Sequence, residues 1–190
     1  MKPSLLSPSQ KTKLLVLARK ALEKRLLHRD YDPQAYHDPG FEEKRGCFVT
    51  LKDQGELRGC IGQINTKTTL AKLVPQMAVA AALEDPRFEP VRPAELSGLT
   101  LEVSVLTLPQ PVATGPIQKQ MEQLRPMVDG VILEAQGHQA TFLPQVWEQL
   151  HSKEEFLTAL CQKAHLPGDY WRQGDLKLFT YQAQHFEEAT

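Results

Sequence analysis

The residues best suited to chemistry in this chain lie in one hexapeptide, Leu57-Arg58-Gly59-Cys60-Ile61-Gly62. Read as a strand, it places side chains two apart on one face, so the Arg58 guanidinium and the Cys60 thiol are expected to point the same way. A positive charge beside a thiol favours the thiolate, which is the nucleophilic form. Cys60 is therefore a candidate nucleophile, and Arg58 its candidate activator or anion holder. Gly59 and Gly62 remove bulk on either side. Strand interiors avoid glycine unless something approaches the backbone closely, so both are candidate substrate contacts. A nucleophilic mechanism also wants a base, normally a histidine held by a third group. None is near in sequence, and which of His37, His138, His151, His165 or His185 approaches Cys60 depends on tertiary structure.

A second charged group, Asp85-Pro86-Arg87-Phe88, sits in a tight turn where Asp85 and Arg87 are candidates for binding an anion or activating a water. The Asp-Pro turn explains Asp85 without function as well. Glu102 and Ser104 share the polar side of an alternating strand, either lining a pocket or forming its solvated face. Each thiol also has a bland reading as a small buried hydrophobe, and that reading suits Cys47 and Cys161, which fall in apolar patterns. Trp147, Trp171, Tyr170 and Phe179 read as core or lobe-interface aromatics. No dinucleotide fingerprint, phosphate-binding loop, zinc-protease motif, nucleophile elbow or EF-hand loop occurs, so motifs imply no cofactor and no metal.

The whole chain sets bounds on these groups. Its 190 residues suffice for a single domain that buries roughly 70% of its unfolded-chain surface. Hydrophobic content of 41% and charged content of 24% are those of an ordinary globular protein. A net charge of −1 leaves no overall electrostatic footprint for nucleic acid. No apolar run spans a bilayer, and Met1 to Lys13 carries no secretory apolar region. Three cysteines without CxxC spacing argue against a disulfide framework and a zinc knuckle, and a cytoplasmic location is expected.

Several elements must position the candidate residues. Ser7, Pro8 and Gln10 open a helix that runs to about Leu27. Gly46–Leu51 and Glu56–Ile64 form a hairpin around Asp53-Gln54-Gly55. A three-residue loop would set Cys60 opposite Phe48. A two-residue loop would set it opposite Val49 and on the face of Cys47. Thr69–Leu83 reads as a helix kinked or divided at Pro75. Leu99–Val105 alternates as a half-buried strand. Pro109–Pro116 is the expected lobe connector. Beyond it come a helix at Ile117–Leu124, a second hairpin around Gln136-Gly137-His138, a helix capped by Ser152 and Glu155, and one long closing strand, Leu176–Phe186. The fold class is α+β, with a mostly antiparallel sheet, flanking helices and a recurrent hairpin–helix pattern.

The order of segments resembles the AMMECR-one domain family. The residues that carry the likeness are Gly46-Cys47-Phe48-Val49-Thr50-Leu51, the hexapeptide with its RGCIG core, Ala80-Ala81 with Asp85-Pro86-Arg87-Phe88, Leu101 to Leu106, Asp129-Gly130-Val131 and Ala140 to Trp147. Phe156-Leu157, Lys163-Ala164 and Leu178 to Tyr181 continue it, so that it spans about residues 10 to 188. The resemblance implies one domain over the whole chain, with a larger and a smaller lobe and the motif near a cleft. It also implies association with a Memo-type protein of the extradiol-dioxygenase-like superfamily and a radical SAM enzyme (the AmmeMemoRadiSam system). Arg58, Gly59, Cys60 and Gly62 carry over directly, and Asp85, Arg87 and Phe88 form a second matching patch. Many relatives carry histidine immediately before the glycine at Gly130, whereas this chain has Asp129.

Three readings follow. In the first, the protein is an enzyme or enzyme component acting on a small-molecule or nucleotide-like substrate, with Cys60 as nucleophile or covalent acceptor and Asp85, Arg87 and Glu102 contacting the substrate. In the second, the same groove is a non-catalytic binding site for a ligand or protein. In the third, the motif is a packed hairpin in which Arg58 pairs with a carboxylate such as Glu102.

Overall fold

Two hairpins organise the molecule. In each, two residues of positive φ make the turn: Gln54 (50°) with Gly55 (86°), and Gln136 (50°) with Gly137 (78°). This pair of conformations matches the right-handed twist of antiparallel strands, which is why a short turn with glycine second closes both. The computed structural model describes residues 5–28, 30–64, 66–173 and 175–189, so the amino-terminal stretch read above lies outside the described residues at positions 1–4. The chain divides into two compact units, Met1–Thr107 with Gln184–Thr190, and Leu108–Ala183.

In the first unit, α1 (Pro8–Glu23) begins with the expected capping box, Ser7 and Gln10 satisfying each other's backbone N–H groups, and ends in a short π-helical turn, Lys24–His28. Strands β1 (Cys47–Asp53) and β2 (Glu56–Gln63) form the hairpin, followed by α2 (Leu70–Leu83) and β3 (Leu99–Leu106). The sheet order is β2-β1-β3-β8, with β8 spanning Ala183–Glu187. Cys47, Val49 and Leu51 of β1, with Leu101, Val103 and Val105 of β3, are fully buried on one face. They join Leu14, Ala18 and Leu22 of α1 and Leu70, Leu73, Val74, Ala78 and Ala81 of α2 in one core.

Helix α2 is not divided at Pro75. Proline inside a helix costs about 3 kcal/mol, whereas each fully buried Leu or Val contributes about 1.5–3 kcal/mol. Burial of Leu70, Leu73, Val74 and Val79 therefore outweighs the lost hydrogen bond.

In the second unit, β4 (Gln110–Pro111), α3 (Ile117–Gln123), β5 (Gly130–Ala135), β6 (His138–Phe142), α4 (Lys153–Lys163) and β7 (Lys177–Tyr181) follow in order. The sheet order is β4-β7-β5-β6, and Pro111 is tolerated because β4 is an edge strand. Trp147 stacks on Phe156 at 3.7 Å within the core, and Ser152 with Glu155 caps α4 as expected. The same path recurs in both units: a hairpin, a helix, then a strand returning beside the hairpin's first strand, giving β2-β1-β3 and β6-β5-β7.

One expectation is corrected here. The segment read as a single closing strand is two strands in two sheets, β7 against β5 and β8 beyond β3. Alternating side chains satisfy a strand in either sheet, so periodicity carries no signal for the break at Gln182.

Candidate functional site

The register of the first hairpin decides what surrounds Cys60. The loop has two residues, since Asp53 pairs with Glu56, but the pairing shifts between Leu51 and Lys52, so Arg58 is an extra residue and Leu51 faces Gly59. This β-bulge sets Cys60 opposite Thr50, neither of the two partners that uniform registers predict. It also separates the thiols: Cys47 faces the core and is fully buried, whereas Cys60 is half-buried beside Thr50, which is intermediate too. Across the sheet Thr50 pairs with Glu102, so Cys60, Thr50 and Glu102 form a row on the face away from the core. The Thr50 hydroxyl donates to Cys60 Sγ at 3.2 Å.

Strand β2 is an edge of its sheet, and Cys60 turns both its main-chain polar groups to the free side. There they meet the turn that follows α2. The Asp85 side chain is 2% exposed. Its Oδ2 accepts the Cys60 N–H at 2.8 Å and Arg87 Nη2 at 2.7 Å. Its Oδ1 accepts the Arg87 N–H at 3.1 Å and Arg87 Nε at 3.0 Å. The Cys60 carbonyl accepts from Arg87 Nη2 at 3.5 Å. A carboxylate has about four lone-pair sites, and all are taken. The Arg87 hydrogen bonds, then those from the two backbone N–H groups, hold Asp85 well below the usual carboxylate range. Its carboxylate thereby holds the Cys60 backbone and the Arg87 side chain in place.

Arg58 is not a partner of the thiol. Its Nε donates to Glu95 Oε1 at 2.9 Å, and the Arg92 N–H donates to the other oxygen of Glu95 at 2.8 Å. The Arg92 backbone bond first, and Arg58 second, keep the Glu95 carboxyl below its ordinary range. The bulge breaks the two-residue alternation that would have paired Arg58 with Cys60, and the guanidinium within reach of Cys60 belongs to Arg87. Arg58 does not pair with Glu102 either. Glu102 takes Lys52 at 2.7 Å, and Lys52 also reaches Glu187 at 3.1 Å.

The glycines serve different ends. Gly59 is buried, and a Cβ there would stand 2.1 Å from the Ala81 carbonyl oxygen, so the close approach is to α2. Gly62 lies under Phe48, whose ring would be 2.3 Å from an added Cβ. Among the histidines, His185 lies on the same sheet, with Nδ1 at 2.7 Å from Ser104 Oγ, but β1 and β3 separate its strand from β2. His37 pairs with Glu42. No histidine is a hydrogen-bond partner of Cys60 among the described residues. Nor, among them, does any group of three or more His, Cys, Asp or Glu side chains stand ready to hold a metal ion. No helix is long and apolar enough to cross a membrane among the same residues. The residues that sequence reasoning missed are Thr50 and Glu95. The alternation of Phe48, Thr50 and Lys52 was a signal for the first, whereas Glu95 reaches Arg58 only through tertiary folding.

Comparison with known proteins places this geometry. The AMMECR1 family model matches residues 15–186. A protein from Thermofilum pendens is 39% identical over 197 aligned positions, covering 97% of this chain and 92% of its own. One from Thermococcus gammatolerans is 41% identical, covering 92% and 88%. The crystal structure of the uncharacterised protein PH0010 from Pyrococcus horikoshii is similar at a TM-score of 0.79 and 37% identity, covering 93% of this chain and 90% of that one. On sequence and fold alike, the chain belongs to the AMMECR1 family.

Proposed function

We propose that this protein is an enzyme component that acts on a small-molecule or nucleotide-like substrate through the surface bearing the RGCIG motif. Cys60 serves as nucleophile or covalent acceptor, Asp85 and Arg87 fix the strand that carries it, and Arg58 and Arg87 hold the substrate. The observation that carries the reading is the contrast among three thiols. Cys47 and Cys161 are buried and their pKa values are raised by that burial, whereas Cys60 is half-exposed, accepts a hydroxyl hydrogen bond and has its backbone clamped on the free edge. A reactive group needs access and a fixed position together. The family resemblance supplies the proposed partners, a Memo-type protein and a radical SAM enzyme. Iodoacetamide treatment of the intact protein, with labelled positions located by mass spectrometry, tests the reading. Cys60 should label in the folded protein, and Cys47 and Cys161 only after unfolding. An inert Cys60 would sink it.

One observation favours a second reading, a binding module without catalysis: the side-chain partner of Cys60 is a threonine and not a histidine base. Under that reading Cys60→Ser leaves ligand binding and function unchanged, whereas a bulky residue at Gly62 abolishes binding.

A further inference from the structure

The second unit carries a cavity that the thiol chemistry does not use. Its volume of about 430 Å³ falls within the range of about 300–1,000 Å³ typical of small-molecule sites. It is walled by α3, the first turn of α4 and the short 3-10 turn Tyr170–Gln173. Side-chain bonds tie these walls together. Lys153 Nζ donates to the Met121 carbonyl at 2.7 Å, joining the start of α4 to the last turn of α3. Trp171 Nε1 donates to Thr158 Oγ1 at 3.0 Å, joining the 3-10 turn to α4. The floor is apolar, made by Ile117, Met121 and Trp171, all buried. The rim is charged. Glu122, Glu154 and Arg172 line the cavity and are exposed, and among the described residues their side chains have no hydrogen-bond or ion-pair partner. Arg172 lies over the Trp171 ring at 4.5 Å, a cation–π contact that holds it at the rim. Carboxylates and a guanidinium thus stand around one apolar floor without pairing with each other.

We propose that this cavity binds a zwitterion of the amino-acid class with a large apolar side chain. The apolar side chain rests on Ile117, Met121 and Trp171, the ammonium faces Glu122 and Glu154, and the carboxylate faces the Arg172 fork. Charge complementarity selects this class. A neutral apolar molecule would cover the rim charges and leave them unpaired, which is costly. An ion of one sign answers only half of the rim. A molecule that carries both signs beside an apolar body answers all of it. Walls tied together beforehand also spare the cost of ordering them on binding. A free amino acid and a short unblocked peptide share this chemistry and differ in the distance between their charges. The cavity belongs to the other unit from Cys60, and the inference does not rest on the proposed thiol chemistry.

The test is calorimetric titration of the intact protein with leucine, with the dipeptide leucyl-leucine, and with two singly charged analogues, leucine amide and N-acetylleucine. One of the two zwitterions should bind with a dissociation constant of about 1 mM or tighter, and the tighter of them names the source. Each singly charged analogue should bind about tenfold more weakly or worse. Arg172→Gln, and separately Glu122→Gln combined with Glu154→Gln, should weaken the zwitterion about tenfold. All three positions are exposed, so these variants should keep their unfolding midpoints, and lost binding is then lost recognition. Glu148→Gln removes an exposed charge outside the cavity and should bind as the unaltered protein does. Binding of both zwitterions weaker than about 1 mM would overturn the inference. So would an analogue that binds as tightly as leucine, or a loss in Glu148→Gln equal to that in Arg172→Gln. Labelling of Cys60 bears on none of these outcomes, so the cavity and the thiol chemistry stand or fall separately.

Discussion

The Asp85 carboxylate accepts the main-chain N–H of Cys60 at 2.8 Å, standing where a neighbouring strand would otherwise stand. With Arg87 donating to the Cys60 carbonyl, the two side chains cap one residue of an edge strand. Edge strands expose unpaired N–H and C=O groups that invite association, and a side-chain cap answers that hazard locally. It also fixes the backbone of the one thiol that is not buried.

Loss of this cap should be felt in stability and in its pH dependence. Asp85→Ala orphans a backbone N–H and releases Arg87, and should cost about 2–4 kcal/mol in urea unfolding. Because the folded-state pKa of Asp85 is depressed, its contribution is fully present above the unfolded carboxylate value, near 4, and is lost as pH falls toward the lower folded value. The unaltered protein should therefore lose more stability than Asp85→Asn between about pH 5 and pH 2. Parallel acid profiles would show that the carboxylate is not the linked group.

Gly59→Ala should destabilise the first unit by about 1–3 kcal/mol, since overpacking strains a core by that much. The atom in the way is a helix carbonyl 2.1 Å from the added Cβ, so a rotamer change gives no relief. At Gly62 the nearest obstacle is the Phe48 ring, which can turn, although the Cys47 carbonyl at 2.5 Å limits the gain. Chemical unfolding of both variants checks the order, with Gly59→Ala the less stable.

The two hairpin thiols should respond unequally to the same change. Cys47→Ser buries a hydroxyl in an apolar core and should cost about 1–3 kcal/mol. Cys60→Ser, on a half-exposed site already facing a hydroxyl, should stay within about 0.5 kcal/mol. Equal losses would place Cys60 in the core after all.

In the second unit, Asp129 accepts the Arg125 N–H at 3.0 Å and Arg125 Nη2 at 2.7 Å, with a side chain 2% exposed. Asp129→Ala should cost about 1–3 kcal/mol through the orphaned backbone donor. Lowered protection of the Arg125 amide in hydrogen exchange would be the local signature.

Much of this could be read without coordinates, for definite reasons. The capping boxes at Ser7 and Ser152, the alternation of Leu99 to Val105 and both hairpins are local, written in spacings of a few residues. Asp85, Arg87 and Cys60 were each singled out from sequence, but as separate candidates. That the aspartate serves the cysteine's backbone spans 25 positions, and no local pattern carries it.

By itself, the sequence determined the chain's elements, their caps and turns, its α+β class and its family likeness, because these follow from short-range sterics, periodicity and motif. Tertiary structure alone decided the rest. A one-residue bulge at Arg58 changed the face and the partner of every residue after it on β2, since strand side chains alternate with a period of two. The closing segment was shared between two sheets, because an alternating run fits the edge of either. Arg58 went to Glu95 and Arg87 to Cys60, because ion pairing follows distance in space and not position in the chain.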